Sequence, residues 1–176
     1  MIRRVEALNY RCLRYVSQPL DRFHVLVGPN ASGKTTFLDV VSFLGRLVAD
    51  GPEAAIAERT QNFEDLIWRG AGKSFELAVE AEIPEERRER LKKHEYDTIR
   101  YEARIGVVSD TQEVGIAEER ALLKKSAPHK VAVRSLFPVE PETPPSIVQG
   151  RQQPRSRTVL SKAQGGNDND YSEVVG

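Results

Sequence analysis

The sequence predicts an α/β domain, and three observations carry that prediction. A compact apolar run, Phe23-His24-Val25-Leu26-Val27, leads into a glycine-bearing loop. The stretch after the loop places Phe37, Val40, Val41, Leu44, Leu47 and Val48 at helical spacing. Beyond residue 72 the apolar period falls to two, the mark of strands with one face toward a core. With 39% hydrophobic residues in 176, the chain is long enough and apolar enough to bury a sizeable core.

Two strands open the chain, one carrying Val5, Ala7 and Leu8, the other Leu13, Tyr15 and Val16. Residues 23–27 read as a third, and their β-branched, uniformly apolar end suits a buried central strand, with His24 packed in the core. A helix of about four turns follows the loop and is stopped by Gly51-Pro52. A short alanine-rich helix over 53–59 and a loop over 62–72 come next, with Trp68 expected to anchor that loop against the core.

Phe75, Leu77, Val79, Ala81 and Ile83 then alternate with Glu76, Glu80 and Glu82, and Ile99, Tyr101, Ala103 and Ile105 alternate with Arg100, Glu102 and Arg104. Both read as half-buried antiparallel strands, in which opposite charges on facing strands pair at an exposed face and stabilise little. The mixed-charge linker from Pro84 to Lys93 is expected to be a short solvated helix or long turn. Strands near 114–123 and 131–137 would complete this sheet. Residues 138–176 hold Pro138, Pro141, Pro144, Pro145 and Pro154, then Gly165-Gly166, and are expected to be a polar segment unable to bury a core alone.

Composition sets limits on function without naming one. The 26 basic and 26 acidic side chains cancel, so no global field draws the chain to nucleic acid or to an anionic membrane. Cys12 is the single cysteine and cannot form a disulfide within the chain or share a cysteine-based zinc site. The first residues lack the apolar core of a secretory signal, so a cytoplasmic location without membrane contact is expected. His24, His94 and His129 are scattered and support no metal site. Glutamates interleaved among Arg87 to Lys93 make that stretch a solvated face, while Arg151, Arg155, Arg157 and Lys162 form a cleaner basic cluster that permits phosphate contacts.

Chemistry is concentrated in Gly28-Pro29-Asn30-Ala31-Ser32-Gly33-Lys34-Thr35, followed by Thr36, which matches G-x-x-x-x-G-K-[ST] at every fixed position. At average residue frequencies a chain of this length carries about 0.006 such matches by chance, so an incidental surface turn is a poor account of it. The pattern has a physical logic: the glycines let backbone N–H groups wrap a phosphate, and the helix that begins here adds the positive end of its dipole. Lys34 is thereby expected to reach the β and γ phosphates of ATP, and Thr35 to hold Mg²⁺ through its hydroxyl. A GTPase would add Asn-Lys-x-Asp downstream, which the chain lacks. Small-molecule kinases usually place the phosphate-loop strand first, whereas two strands precede it here.

The segment from Ala7-Leu8-Asn9-Tyr10-Arg11-Cys12-Leu13 through Phe23 to Asp39 resembles the N-terminus of the SMC, RecF and OLD-like AAA ATPases, and the strand order resembles an ABC-type ATPase head. In that group a leading strand motif with a basic residue, matched by Arg11, precedes a GPNxSGKS/T loop, matched from Gly28 to Thr35 with Asn30 at its usual place. The resemblance implies a P-loop NTPase lobe over 1–137, composed of 1–50 and an inserted antiparallel sheet over 52–137. It further implies a nucleotide cradle from Asn30 to Gly33 and an Arg11 that lies close to the nucleotide. ATP-driven pairing of two heads, in DNA repair, chromosome maintenance or defence against phage, is the group's use of this lobe.

The group's Walker B segment, four apolar residues ending in Asp-Glu, has no match; Ile105-Gly106-Val107-Val108-Ser109-Asp110 comes nearest and lacks the glutamate. The serine-glycine signature and the late histidine are also unmatched, and the Q-loop glutamine is open among Gln149, Gln152, Gln153 and Gln164. The resemblance therefore covers the N-terminal half of a head. The chain is expected to be truncated, with residues 138–176 the start of the missing half and the uncovered core strands leaving a parallel-sheet edge exposed. Turnover would then need a second head or a chain that carries Walker B and the signature. Alternatives that stay open are a nucleotide-dependent interaction module completed by a partner chain and an atypical P-loop kinase, and contact with DNA remains a further possibility.

Overall fold

A computed structural model describes residues 1–70, 72–91, 95–108, 112–125, 142–148, 156–163 and 170–171. The strands are β1 (Ile2–Tyr10), β2 (Leu13–Pro19), β3 (Ser74–Glu82), β4 (Thr98–Val107), β5 (Val114–Lys124), β6 (Ser156–Ala163) and β7 (Asp170–Tyr171). They form one sheet in the order β2-β1-β3-β4-β5-β6-β7, and every pairing is antiparallel. Helix α1 (Lys34–Ala57) packs on one face of this sheet, and α2 (Glu85–Arg88) is the short charged helix between β3 and β4.

The core lies between α1 and the sheet. Phe37, Val40, Phe43, Leu44 and Leu47 of the helix meet Val5, Ala7, Tyr10, Phe75, Leu77, Ala103 and Ile105 of the strands, all buried. Tyr10, Phe43 and Phe75 form its centre, with ring centroids 4.9–5.8 Å apart in tilted or edge-on pairs, the arrangement that aromatic quadrupoles favour. The Gly51-Pro52 stop breaks the helix locally, since Gly51 has φ 85° and ψ 176°. A second helical stretch then resumes and puts Ala55 into the same core.

Two expectations are corrected by the structure. Residues 23–27 are not a buried central strand: Phe23 is 82% exposed, Val25 61% and Val27 88%, His24 is exposed too, and only Leu26 packs on the core. A uniformly apolar strand is buried only when neighbours cover both its faces, and the described strands pair with one another and leave this run outside the sheet.

The charged face of the sheet is the second correction, because it is covered rather than exposed. Glu76, Glu80, Arg100 and Glu102 are all buried, in the register Glu76↔Arg104, Ala78↔Glu102, Glu80↔Arg100. Described parts of the segment after residue 138 pack onto the sheet rather than forming a core of their own. Residues 142–148 lie across that charged face: the Glu76 carboxylate accepts from the backbone N–H groups of Ile147 (2.6 Å) and Val148 (3.0 Å) and from the Ser146 hydroxyl (2.9 Å). Ile147 packs onto Leu8 and Ala78. β6 extends the ladder from β5, and Val159 packs beside the buried Leu91, Tyr96 and Leu123. The expected strand near 131–137, the Walker B-like end at Ser109-Asp110, the four candidate glutamines, His94, His129 and Gly165-Gly166 lie outside the described residues. Among the described residues, no helix is long and apolar enough to cross a membrane.

Candidate functional site: a phosphate loop at the head of α1

Residues 28–33 lead directly into the first turn of α1, whose first bond runs from the Phe37 N–H to the Gly33 carbonyl at 2.8 Å. Gly33 caps the helix with φ 87°, a left-handed conformation open to glycine at little cost. A Cβ there would also lie 3.1 Å from Leu13 Cδ2 and 3.3 Å from Cys12 Sγ, so the loop sits tightly against the β1–β2 hairpin. Ala31 takes φ 63°, a conformation uncommon for a residue with a Cβ, which is a local strain held by the loop. The Lys34 ammonium donates to the carbonyls of Gly28 (2.8 Å) and Pro29 (2.7 Å) and to Ser32 Oγ at 3.3 Å. The loop is thus wound around its own lysine. Thr35 is exposed at the head of the helix, and Thr36 Oγ1 accepts from Cys12 Sγ at 3.2 Å. These positions fit a phosphate cradle: a tight glycine cap, a lysine drawn over the loop, and the N-terminal N–H groups of a long helix.

One cluster beside the loop was not read from the sequence. Asp39, in the second turn of α1, accepts from the Tyr10 hydroxyl at 2.5 Å, from Arg59 Nε at 2.9 Å and, more loosely, from Arg11 Nη1 at 3.4 Å. The network joins the end of β1, the hairpin turn and the far end of α1, and so fixes the angle at which the helix presents its N-terminus. Arg11 lies on that turn with φ 50°, its guanidinium directed to Asp39. Burial pushes the Asp39 carboxyl up, but hydrogen bonds from Arg59 and Tyr10 and the charges of Arg59 and Arg11 outweigh it, and the pKa falls below 3.8. Burial, together with the bond to Asp39, raises the Tyr10 phenol. The available signal was an acid standing among the apolar residues of α1, yet its partners are 20 to 29 positions away in sequence.

Asp39 carries a pH prediction. Its folded-state pKa is depressed, so as pH falls the unfolded chain takes up this proton first, and the stabilisation present well above 3.8 is lost through the folded value. Urea melts of Asp39→Asn and the unsubstituted chain should differ most at neutral pH and converge as the pH is taken below 3.8. A gap that stays constant with pH would show that the carboxylate charge contributes nothing.

Trp68 does not anchor its loop. Leu66 and Ile67, 1% and 4% exposed, do so, with a bridge from Ile67 to Tyr10 and a 2.8 Å bond from the Arg11 N–H to the Leu66 carbonyl. Trp68 is half-buried, and the guanidinium groups of Arg14 and Arg69 lie over its ring.

Comparison with known proteins places the chain in a family. The family described as "AAA domain, putative AbiEii toxin, Type IV TA system" matches residues 23–124, more than half of the 176 residues. The match starts at the apolar run, takes in the phosphate loop and α1, and ends with β5. A 44-residue stretch is 39% identical to an OLD nuclease of Thermus scotoductus, covering 25% of this chain and 8% of that protein. With the family match over most of its length, and with a weaker likeness to an OLD-type protein beside it, the chain belongs to this family of AAA domains and is AAA-type ATPase-like.

Proposed function

We propose that this chain is the ATP-binding lobe of an ABC-type AAA ATPase. The single observation that carries the reading is the G-x-x-x-x-G-K-T loop, with its glycine cap, at the head of α1. In this reading the backbone of Gly28, Pro29, Asn30, Ala31, Ser32 and Gly33 wraps the phosphates, aided by the positive end of α1. Lys34 gives up its loop carbonyls for the β and γ oxygens and is the catalytic residue of the lobe; Thr35 holds Mg²⁺, and Thr36 borders the site. Mg²⁺, when bound, neutralises charge between the phosphate groups. Arg11 lies on the nucleotide side of the hairpin, held by Asp39 until the nucleotide arrives.

Turnover is proposed to need residues beyond these 176, because no segment here supplies the carboxylate that orients the attacking water. A partner head, or a further segment with Walker B and the signature, would supply it. The exposed side chains of Phe23, Val25 and Val27 support that completion, since apolar side chains of this size, gathered in the run that leads into the loop, favour coverage by added strands. Action in DNA repair, chromosome maintenance or defence against phage follows by likeness alone.

Calorimetric titration tests the binding step. Mg-ATP should bind saturably at one site, and Mg-GTP should bind no more tightly, because no base-reading motif selects guanine. A clear preference for GTP would overturn the assignment. The isolated chain should also hydrolyse ATP no faster than its Lys34→Ala variant. Robust turnover that depends on Lys34 would instead favour the atypical-kinase reading or a self-sufficient ATPase.

A further inference from the structure

Two exposed arginines near the hairpin turn rest on an aromatic ring rather than on a carboxylate. Arg3, Arg46, Arg59, Arg100 and Arg104 each hold a carboxylate. Among the described residues, the side chains of Arg14 and Arg69 have neither an ion pair nor a hydrogen bond, and what they meet is an indole. The guanidinium carbon of Arg14 lies 5.4 Å from the Trp68 ring centroid, and that of Arg69 lies 4.7 Å from it. In a chain whose charges cancel overall, two unpaired cations gathered on one aromatic ring are a local concentration of positive charge.

The surrounding backbone holds this arrangement. Arg69 is kept at φ 54° and ψ 20°, a strained conformation for an arginine, in a turn that follows directly on the buried Leu66 and Ile67. That turn is tied to the hairpin by the Ile67–Tyr10 bridge and the Arg11-to-Leu66 bond, while Arg14 projects from β2 of the same hairpin. Both guanidinium groups are therefore positioned before any ligand arrives, which lowers the entropy lost on binding.

We infer that Arg14, Trp68 and Arg69 form a docking site for the backbone of a single-stranded nucleic acid. A guanidinium resting on an indole keeps its N–H edges free for phosphate oxygens, and arginine's planar fork matches two of them at once. Two such groups on one indole suit the repeated charge of a polynucleotide better than a lone anion. The outward faces of the guanidinium planes, turned away from the indole, also offer surfaces on which unstacked bases can lie, which a duplex cannot use. The inference does not depend on ATP binding, since none of the three residues belongs to the phosphate loop.

The test uses the full chain and a fluorescein-labelled oligothymidylate of about 20 nucleotides, long enough to span a single-strand site. Trp68 is the only tryptophan, so its emission reports on the site directly. Binding at low salt should raise polarisation saturably and quench Trp68. The double variant Arg14→Ala/Arg69→Gly, with glycine chosen to keep the left-handed turn, should weaken binding about tenfold and flatten the log–log salt dependence by about 1.4. Mg-ATP calorimetry and a thermal melt on the same protein confirm that the loop and fold are intact. If that variant fails to fold, the single charge reversal Arg14→Glu takes its place and should weaken binding at least as much. Absence of binding, an unmoved Trp68 signal at saturation, or unchanged affinity in a folded variant would overturn the site. Tighter binding of duplex, or equal competition by inorganic phosphate or polyglutamate, would overturn the single-strand assignment.

Discussion

Arg100→Ala is expected to destabilise the chain by about 3–5 kcal/mol, the usual cost of removing one member of a buried ionic network. The Arg100 side chain is 3% exposed. Its Nε donates to Glu102 at 2.6 Å, its Nη1 meets Glu6 and, at 3.3 Å, Glu80, and its Nη2 donates to the Ile147 carbonyl at 3.2 Å. Burial works against its charge, but the carboxylates of Glu6 and Glu102 more than compensate and raise its pKa. Alanine withdraws this cation from three carboxylates at once and loosens the segment that covers them. Glu80 retains Lys124 at 2.5 Å, so the loss falls chiefly on Glu6 and Glu102. Urea denaturation measures it; a loss below about 1 kcal/mol would mean that the charged face is solvated in solution rather than covered.

Much of the sheet was legible in the sequence, because alternation is local. Leu77, Ala103 and Ile105 face the helix as their period-two spacing required, and Phe37, Val40, Leu44 and Leu47 fall on the buried stripe of α1. Val48, on the same helical spacing, is 67% exposed, since no described element reaches that flank of the helix. The misreadings share one cause. Burial of residues 23–27 depends on neighbours that local pattern cannot supply. The cover over Glu76 and Arg100 comes from Ile147, more than forty residues downstream of both, and two apolar residues in a proline-rich stretch give no sign that a carboxylate awaits them. The glycine cap at Gly33 and the helix that starts at Lys34 were legible because the motif's residues are consecutive. The Tyr10–Asp39–Arg59 network beside them was not, because the fold alone brings those three together.

Lys34→Ala should abolish Mg-ATP binding while leaving the fold intact. Lys34 takes no part in the core, and its ammonium touches only loop atoms at Gly28, Pro29 and Ser32, so its removal takes no packed side chain from between α1 and the sheet. What it does remove is the single side-chain cation of the motif, the charge that meets the β and γ phosphates in the proposed complex. Hydrogen bonds to charged groups contribute about 1.5–3 kcal/mol each, and the ammonium offers several, so the loss exceeds a hundredfold in affinity. The direct measurement is calorimetry with Mg-ATP on the chain and on Lys34→Ala, each checked by a thermal melt. Saturable binding to the first and none to the second is expected; equal affinity in a folded Lys34→Ala protein would contradict the phosphate-binding role of the loop.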